Sequence, residues 1–300
     1  MRRYLLLFVD GVGLAPVSAD NPLAAVPMPA LAGALDGPLT AERAGTVRPG
    51  LALAALDASL GVAGLPQSAT GQTALFTGLD APVRLGRHVA ALPGPRLAAM
   101  LAEHSLLRRA AAAGRRVTFA NPFTAAYFAE VAAGRRRHSA TTLAVLAGGV
   151  PLRDAADLSA GEACSWDVLR DSFRRWAPEV EPVEAEVAGR HLAALAAGHD
   201  LVLWETFMTD LAGHRRWGWS AEEALGRLDG LLAGVLAHRA PELTVLLVSD
   251  HGNLEAAGHR SHTSNPVPLL AIGPDAITFA DLGRIDELAP RLLARLEVPF

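Results

Sequence analysis

The chain contains no lysine. All 27 of its basic residues other than histidine are arginine, so a clamp on any anionic group must use guanidinium groups or backbone N–H donors. Cysteine is nearly as scarce. Cys164 stands alone, which excludes an internal disulfide, leaves the compartment undecided and reads as a buried or incidental thiol. Long apolar runs are missing too: nothing approaches the ~18 residues of a membrane span. Arg2 and Arg3 followed by Tyr4 to Val9 resemble the start of a signal peptide. That run is only about six residues, against the ~7–15 of a signal core, and Asp10 ends it. There is no basic excess, since the formal charge is −4, and this argues against general nucleic-acid binding. Internal repeats and low-complexity tracts are absent. The expectation is a soluble, cytoplasmic protein with no nucleic-acid or membrane partner, its oligomeric state open.

What is present is enough chain to bury a large core: 300 residues, 51% of them apolar. That suits one large domain, or one carrying a smaller insertion. Apolar runs at Tyr4 to Val9, Arg116 to Ala120, Leu201 to Trp204, Leu243 to Val248 and Val267 to Ile272 read as strands. Leu51 to Leu60 holds a further short one. Helical patterns fall between them, at Leu97 to Ala113, Ala185 to Ala197 and Ala221 to Ala240. This alternation predicts an α/β fold: a doubly wound, mostly parallel sheet with helices on both faces. From about 121 to 182 the pattern changes, with a basic run, a Thr-rich apolar segment and two tryptophans. It is expected to form a small inserted cap on a core made of 1–120 and 183–300.

The chemistry-bearing residues cluster where strands end. Asp10 closes the first strand and precedes Gly11. Ser68 opens a helix-compatible run, where on local sequence a hydroxyl reads first as an N-cap, with a nucleophile served by the helix dipole as the lesser alternative. Asp210 and His214 follow the Leu201 strand, four residues apart, so one helical turn can aim both at one ion. Asp250, His251, His259 and His262 crowd the loop after the Leu243 strand. Asp250 and His251 would diverge on a regular strand, so they need the loop to converge. In a parallel sheet all these ends gather at one edge. Three Asp and three His are too many for one ion. They suit two divalent ions with mixed N/O shells, which favours Mn²⁺ or Zn²⁺.

Five segments together resemble the alkaline-phosphatase superfamily, in its branch of cofactor-independent phosphoglycerate mutases and phosphopentomutases. They are Phe8-Val9-Asp10-Gly11-Val12-Gly13, Gln67-Ser68-Ala69-Thr70-Gly71, Thr209 to His214, Ser249-Asp250-His251-Gly252-Asn253, and Ser261-His262-Thr263 with Asn265-Pro266. The resemblance implies Ser68 as the nucleophile that becomes phosphorylated, with Thr70 the alternative if the register shifts by two. It assigns Asp10, Ser68, Asp250 and His251 to one metal, and Asp210, His214 and His262 to the other. His259 matches no ligand position and is at best a substrate contact. Gly252 and Gly258 are expected to let the loop turn between the ions.

There are also departures from the branch. The mutases continue to Gly-His after the nucleophile, where this chain has Gly71-Gln72, and they carry a larger inserted domain. The reading is therefore a two-metal phosphomonoester hydrolase or phosphotransferase that works through phosphoserine on a small phosphorylated substrate. The alternatives are a phosphomutase on a phosphorylated sugar or glycerate, and a non-catalytic binding protein on the same scaffold. Arg84 and Arg87, just after the nucleophile helix, are positional candidates for phosphate contact. The run of Arg135, Arg136, Arg137 and His138 reads first as a solvated face, with a substrate clamp as the alternative.

Overall fold

The computed structural model describes residues 2–300. Seven strands form one sheet in the order β2-β3-β7-β6-β1-β5-β4. They are β1 (Arg3–Val9), β2 (Val47–Arg48), β3 (Leu51–Leu56), β4 (Val117–Phe119), β5 (Leu201–Thr206), β6 (Leu243–Val248) and β7 (Val267–Ile272). β6, β1, β5 and β4 pair in parallel. β7 is antiparallel to both β6 and β3, so β3 points the same way as β6; five of the seven strands share one direction. β1 is buried along its length because helices cover both faces, and its unbroken apolar run suits that position.

The pleat divides the strand side chains between two cores. Tyr4, Leu6, Phe8, Leu201, Leu203, Leu246 and Val248 face one way. They pack against the helices Ser68–Thr77, Pro95–His104, Leu106–Ala112, Ala140–Ala147 and Leu288–Arg295. Leu5, Leu7, Val9, Val202, Trp204, Val245 and Leu247 face the other way, against Pro29–Leu35, Ala185–Ala197 and Ala221–His238. This period-2 split decides which strand-end residues can meet. Asp10 continues the Phe8 row, Glu205 the Leu203 row and Asp250 the Val248 row, so the three lie on the face covered by the Ser68 helix.

Some elements differ from the sequence expectation. The helix expected over Leu97 to Ala113 is two helices, broken at Ser105, whose hydroxyl caps the second by accepting from the Arg108 N–H at 3.4 Å. Within 121–182, the Ala140–Ala147 helix buries Ala140, Ala144 and Val145 against the first core. A satellite cluster of Leu158, Phe173 and Val180 lies further along the segment. Cys164 is buried, and burial raises its thiol pKa, as suits an inert core thiol.

The Ala185 and Ala221 helices cross on glycines. A Cβ at Gly189 would stand 2.1 Å from the Leu231 carbonyl oxygen. Gly189→Ala is therefore expected to lower stability by about 1–3 kcal/mol through overpacking, read as a drop in thermal midpoint. An unchanged midpoint would show that the two helices can separate without cost.

Candidate metal centre

Four segments converge at the C-terminal edge of the sheet. Asp10 follows β1, and its backbone N–H donates to the Thr206 carbonyl at 3.0 Å, extending the β1–β5 ladder by one step. Gly11 then adopts φ +74°, a left-handed conformation that favours glycine, and a Cβ there would lie 2.8 Å from the Asp210 Cβ. The close approach brings the first strand's end against the short helix Met208–Gly213, which carries Asp210. On the other side Gly71 of the Ser68 helix is pressed against the loop after β6, since a Cβ would meet the Asp250 carbonyl oxygen at 2.9 Å. Small residues at these two contacts let the carboxylates crowd together.

His251 is the hub of the first group. Its Nε2 lies 2.9 Å from Ser68 Oγ, 3.2 Å from Asp10 Oδ1 and 3.7 Å from Asp250 Oδ2. Gln72 reaches in from the same helix and donates its amide to Asp10 at 3.3 Å and to Asp250 at 3.1 Å. In the second group Asp210 Oδ1 lies 3.3 Å from His214 Nε2 and 3.7 Å from His262 Nε2. It also accepts from the Asn253 amide at 2.7 Å. The groups share a wall, because the His251 and His262 rings stack at 3.7 Å and 15°. Ligand atoms of Asp10, Asp250 and His251 fall within 4.8 Å of one another, and so do those of Asp210, His251 and His262.

The donor set fits metal ions and leaves little else to explain it. Among the described residues, Asp10 Oδ1 and Asp250 Oδ1 are buried with no partner at hydrogen-bond geometry, the former having only the 3.2 Å ionic contact with His251, a costly state for carboxylate oxygens. The Nδ1 atoms of His214 and His262 face the backbone carbonyls of Arg260 at 2.7 Å and Pro66 at 2.8 Å. Those carbonyls only accept, so each Nδ1 carries a proton, and His262, which burial and the His251 charge push down to about 4, presents a bare Nε2. Yet the two Nε2 atoms lie 3.2 Å apart. The bond to Asp210 raises the His214 pKa, so its Nε2 can carry a proton towards Asp210 or His262, a place that a metal ion could take instead.

Electrostatics agree. Burial, with the charges of Asp250 and Asp210, pushes the Asp10 pKa well above the usual carboxylate range, although His251 pulls it back. Asp250 is raised by burial and by Asp210, against the pull of His251. Burial opposes ionisation of Asp210 too, but its bond to His214 and the charge of His251 outweigh that and lower its pKa. Burial alone would lower His251, but Asp250 and Asp10 override it and lift the ring to about 10. Burial and the His251 charge push His262 down to about 4. The site thus holds protons on groups that could instead ligate a cation.

The expected residues are not all brought together. The Ser68 helix has Gln67 at its N-cap, with no side-chain capping bond, so Ser68 sits at the first helical position with its hydroxyl turned to His251. Thr70 is fully buried, donating to the Gln67 carbonyl at 3.1 Å and accepting from the Val89 N–H at 3.2 Å. His259 is exposed and bonds within its own loop to Ser261. Arg84 pairs with Asp80 at 2.7 Å on the surface, and Arg87 is exposed. Arg135 pairs with Glu130 at 2.7 Å, Arg136 lies over the Tyr127 ring at 4.9 Å and Arg137 is exposed. His138 meets the Tyr127 hydroxyl at 2.7 Å. Neither Gly252 nor Gly258 has positive φ. Gly252 is needed for space, since a Cβ would stand 2.1 Å from Thr263 Oγ1.

Two carboxylates, the buried Glu255 and the half-buried Glu205, lay outside the sequence reading. Glu255 accepts the Gly13 and Asn253 N–H groups at 2.8 Å each, the Thr263 hydroxyl and the Asn265 amide at 3.1 Å, tying three site segments together. Glu205 is the penultimate residue of β5, where desolvation and Asp10 lift its pKa to about 7 although Thr141 lowers it. Nothing local marks either residue, because their partners are distant in sequence.

Residues 178–299 match the family model described as the metalloenzyme superfamily. A 2,3-bisphosphoglycerate-independent phosphoglycerate mutase of Vibrio vulnificus is 32% identical over 130 residues. That region is 40% of this chain and 26% of the relative, so the chain matches about a quarter of that protein's length. A solved protein of Pyrococcus horikoshii superposes with a TM-score of 0.57 at 14% identity, over 99% of this chain and 97% of that one. The alkaline phosphatase of the Antarctic bacterium TAB5 does so with a TM-score of 0.53 at 12% identity, over 99% and 98%. The chain resembles the alkaline-phosphatase superfamily of metalloenzymes in sequence and fold. At 12–14% identity the structural likeness is one of fold alone. Candidate metal-binding groups are the feature this chain adds to that likeness.

A metal must displace the proton on His251, whose ring is lifted to about 10, so its affinity is expected to rise with pH below that value, with proton release. Calorimetric titration with Zn²⁺ or Mn²⁺ at pH 6 and pH 8, in two buffers of different ionisation enthalpy, measures both. Equal affinity and no proton release would contradict this reading.

Proposed function

We propose that the chain is a two-metal phosphomonoester hydrolase or phosphotransferase that works through a phosphoserine at Ser68. The observation that carries this reading is the placement of the Ser68 hydroxyl. It lies at the first position of a ten-residue helix and 2.9 Å from His251 Nε2, beside Asp10 and Asp250. Asp10, Ser68, Asp250 and His251 would hold one divalent ion, Mn²⁺ or Zn²⁺, and Asp210, His214 and His262 the other. Such ions polarise phosphoryl oxygens and lower the pKa of a bound hydroxyl.

The chain's own residues account for the rest. The Ser68 oxygen attacks phosphorus, the ester P–O bond breaks, and the alcohol leaves with a proton. Water or a second alcohol then takes the phosphoryl group and restores the serine. The Ser68 helix N-terminus offers its dipole and backbone N–H groups to the phosphoryl oxygens. Glu255 and Asn253 hold the loops that carry the ligands. Thr70, with its hydroxyl engaged on both sides, is the weaker nucleophile candidate.

The match to phosphoglycerate mutases keeps a mutase reading in view. Such a reaction needs cationic groups that retain the intermediate. In this chain Arg135 and Arg136 are engaged by Glu130 and Tyr127, and Gln72 cannot act as an acid or base. We therefore favour phosphoryl release or transfer to an external acceptor.

Ser68→Ala is expected to lower metal-dependent turnover of 4-nitrophenyl phosphate by on the order of 10³-fold or more, while Thr70→Val keeps most of it. Trapped phosphate on Ser68, read by intact-mass spectrometry, is the second readout. Turnover equal to wild type in Ser68→Ala would remove the serine from the mechanism. Isomerisation of a phospho-sugar without phosphate release would favour the mutase.

A further inference from the structure

We propose that Gln72 is a positioning residue for the first metal group: its side-chain amide holds Asp10 and Asp250 by one carboxylate oxygen each, and so presents the other oxygen of both to a single divalent ion. The inference rests on the two-metal reading and deepens it, because it names a residue that sets the affinity of one ion and not of the other.

The Ser68 helix supplies the reach. Gln72 follows Ser68 by four residues on the helix Ser68–Thr77, so the two side chains leave one face, a turn apart. Ser68 Oγ meets His251 Nε2 at 2.9 Å. The Gln72 amide nitrogen donates to Asp10 Oδ2 at 3.3 Å and to Asp250 Oδ2 at 3.1 Å. Between them Gly71 lets the helix settle on the loop after β6, where a Cβ would stand 2.9 Å from the Asp250 carbonyl oxygen. One helical turn thus holds nucleophile and ligands in register. Asp250 is fully buried and Gln72 nearly so, so the Asp250 oxygen has no solvent to fall back on when the amide is removed.

The side chain is matched to this task. A carboxamide nitrogen carries two hydrogens and no charge, so one atom serves two acceptors. A histidine ring nitrogen carries one hydrogen and cannot serve both. Arginine would neutralise charge that an ion needs, and glutamate would add another carboxylate to the crowd. The remaining oxygens give the arrangement its direction. Among the described residues Asp10 Oδ1 and Asp250 Oδ1 have no partner at hydrogen-bond geometry, and Asp10 Oδ1 lies 3.2 Å from His251 Nε2. Ligand atoms of Asp10, Asp250 and His251 fall within 4.8 Å of one another. The second group has supports of its own. Asn253 donates to Asp210, and the Arg260 and Pro66 carbonyls face the Nδ1 atoms of His214 and His262. None of these bonds involves Gln72.

Zn²⁺ affinity, measured by competition with a chromogenic chelator, tests the proposal on two backgrounds that each keep one group. Asp210→Asn keeps Asp10, Asp250 and His251, and Asp10→Asn keeps Asp210, His251 and His262. Gln72→Met is similar in length and bulk and cannot donate. Added to Asp210→Asn, it should weaken the remaining ion by about tenfold or more, the usual cost of losing a hydrogen bond behind a ligand. Added to Asp10→Asn, it should change the remaining ion by less than about threefold. Equal losses on both backgrounds would mark Gln72 as a general support of the fold and overturn the proposal. Unchanged affinity on the Asp210→Asn background would overturn it as well. The phosphatase reading is tested apart from this, by phosphate release from 4-nitrophenyl phosphate in the protein with all these residues intact. The expected Gln72 pattern without any phosphate release would remove the phosphatase reading and keep Gln72 as a positioning residue. Phosphate release with a first ion indifferent to Gln72→Met would do the reverse.

Discussion

Three aspartates are forced together at one edge of the sheet, and the rest of the site is arranged around that fact. Asp10, Asp210 and Asp250 come from three different segments, and each raises the cost of ionising another. Like charges in a buried setting either keep protons or take up a cation. The surroundings are shaped for the second outcome. His214 and His262 have their Nδ1 atoms committed to backbone carbonyls and direct their Nε2 atoms inward. Gln72 supplies a neutral donor to two of the carboxylates and leaves an oxygen of each unpartnered. The fold holds this tension because glycines at 11 and 71 let backbone come where a Cβ would collide.

The same constraint explains the stacked pair His251 and His262. Two imidazoles at 3.7 Å cannot both be charged at little cost, and their pKa values separate widely, to about 10 and about 4. His251 leans on Asp10 and Asp250, whereas His262 is left as a free base. Were divalent ions to take the place of the protons, both rings could serve as neutral ligands, His251 in either candidate group and His262 in the one with Asp210. Ser68 meets the His251 ring and His214 meets the His262 ring.

Much of this was legible in the sequence because strand ends in a doubly wound sheet share an edge. The unbroken apolar run of Tyr4 to Val9 marked a central strand, and the aspartate ending it fell where ligands gather. The four-residue spacing of Asp210 and His214 allowed both to face one point, and their side chains do meet at 3.3 Å, but it was the family resemblance that singled them out. The rest was not local. Glu255 takes its four donors from segments up to 242 residues away, and no spacing rule reveals that. Glu205 is distinguished by the pleat, which does not show in a strand-end Trp-Glu-Thr. The arginines were weighed by density, but density says nothing about direction. Arg84 and Arg135 found acidic neighbours four and five residues away, as surface cations usually do. The Ser105 break arose because a serine that can cap competes with helix continuation, a balance that tertiary packing decides.

Metal stoichiometry tests the central claim most directly. Elemental analysis and native mass spectrometry of the folded protein, loaded with Zn²⁺ or Mn²⁺ and desalted, should give two ions per chain. Asp210→Asn should retain one of them, because the Asp10, Asp250 and His251 group remains whole. A folded wild-type chain that binds no divalent ion would contradict the account, as would one that never exceeds a single ion.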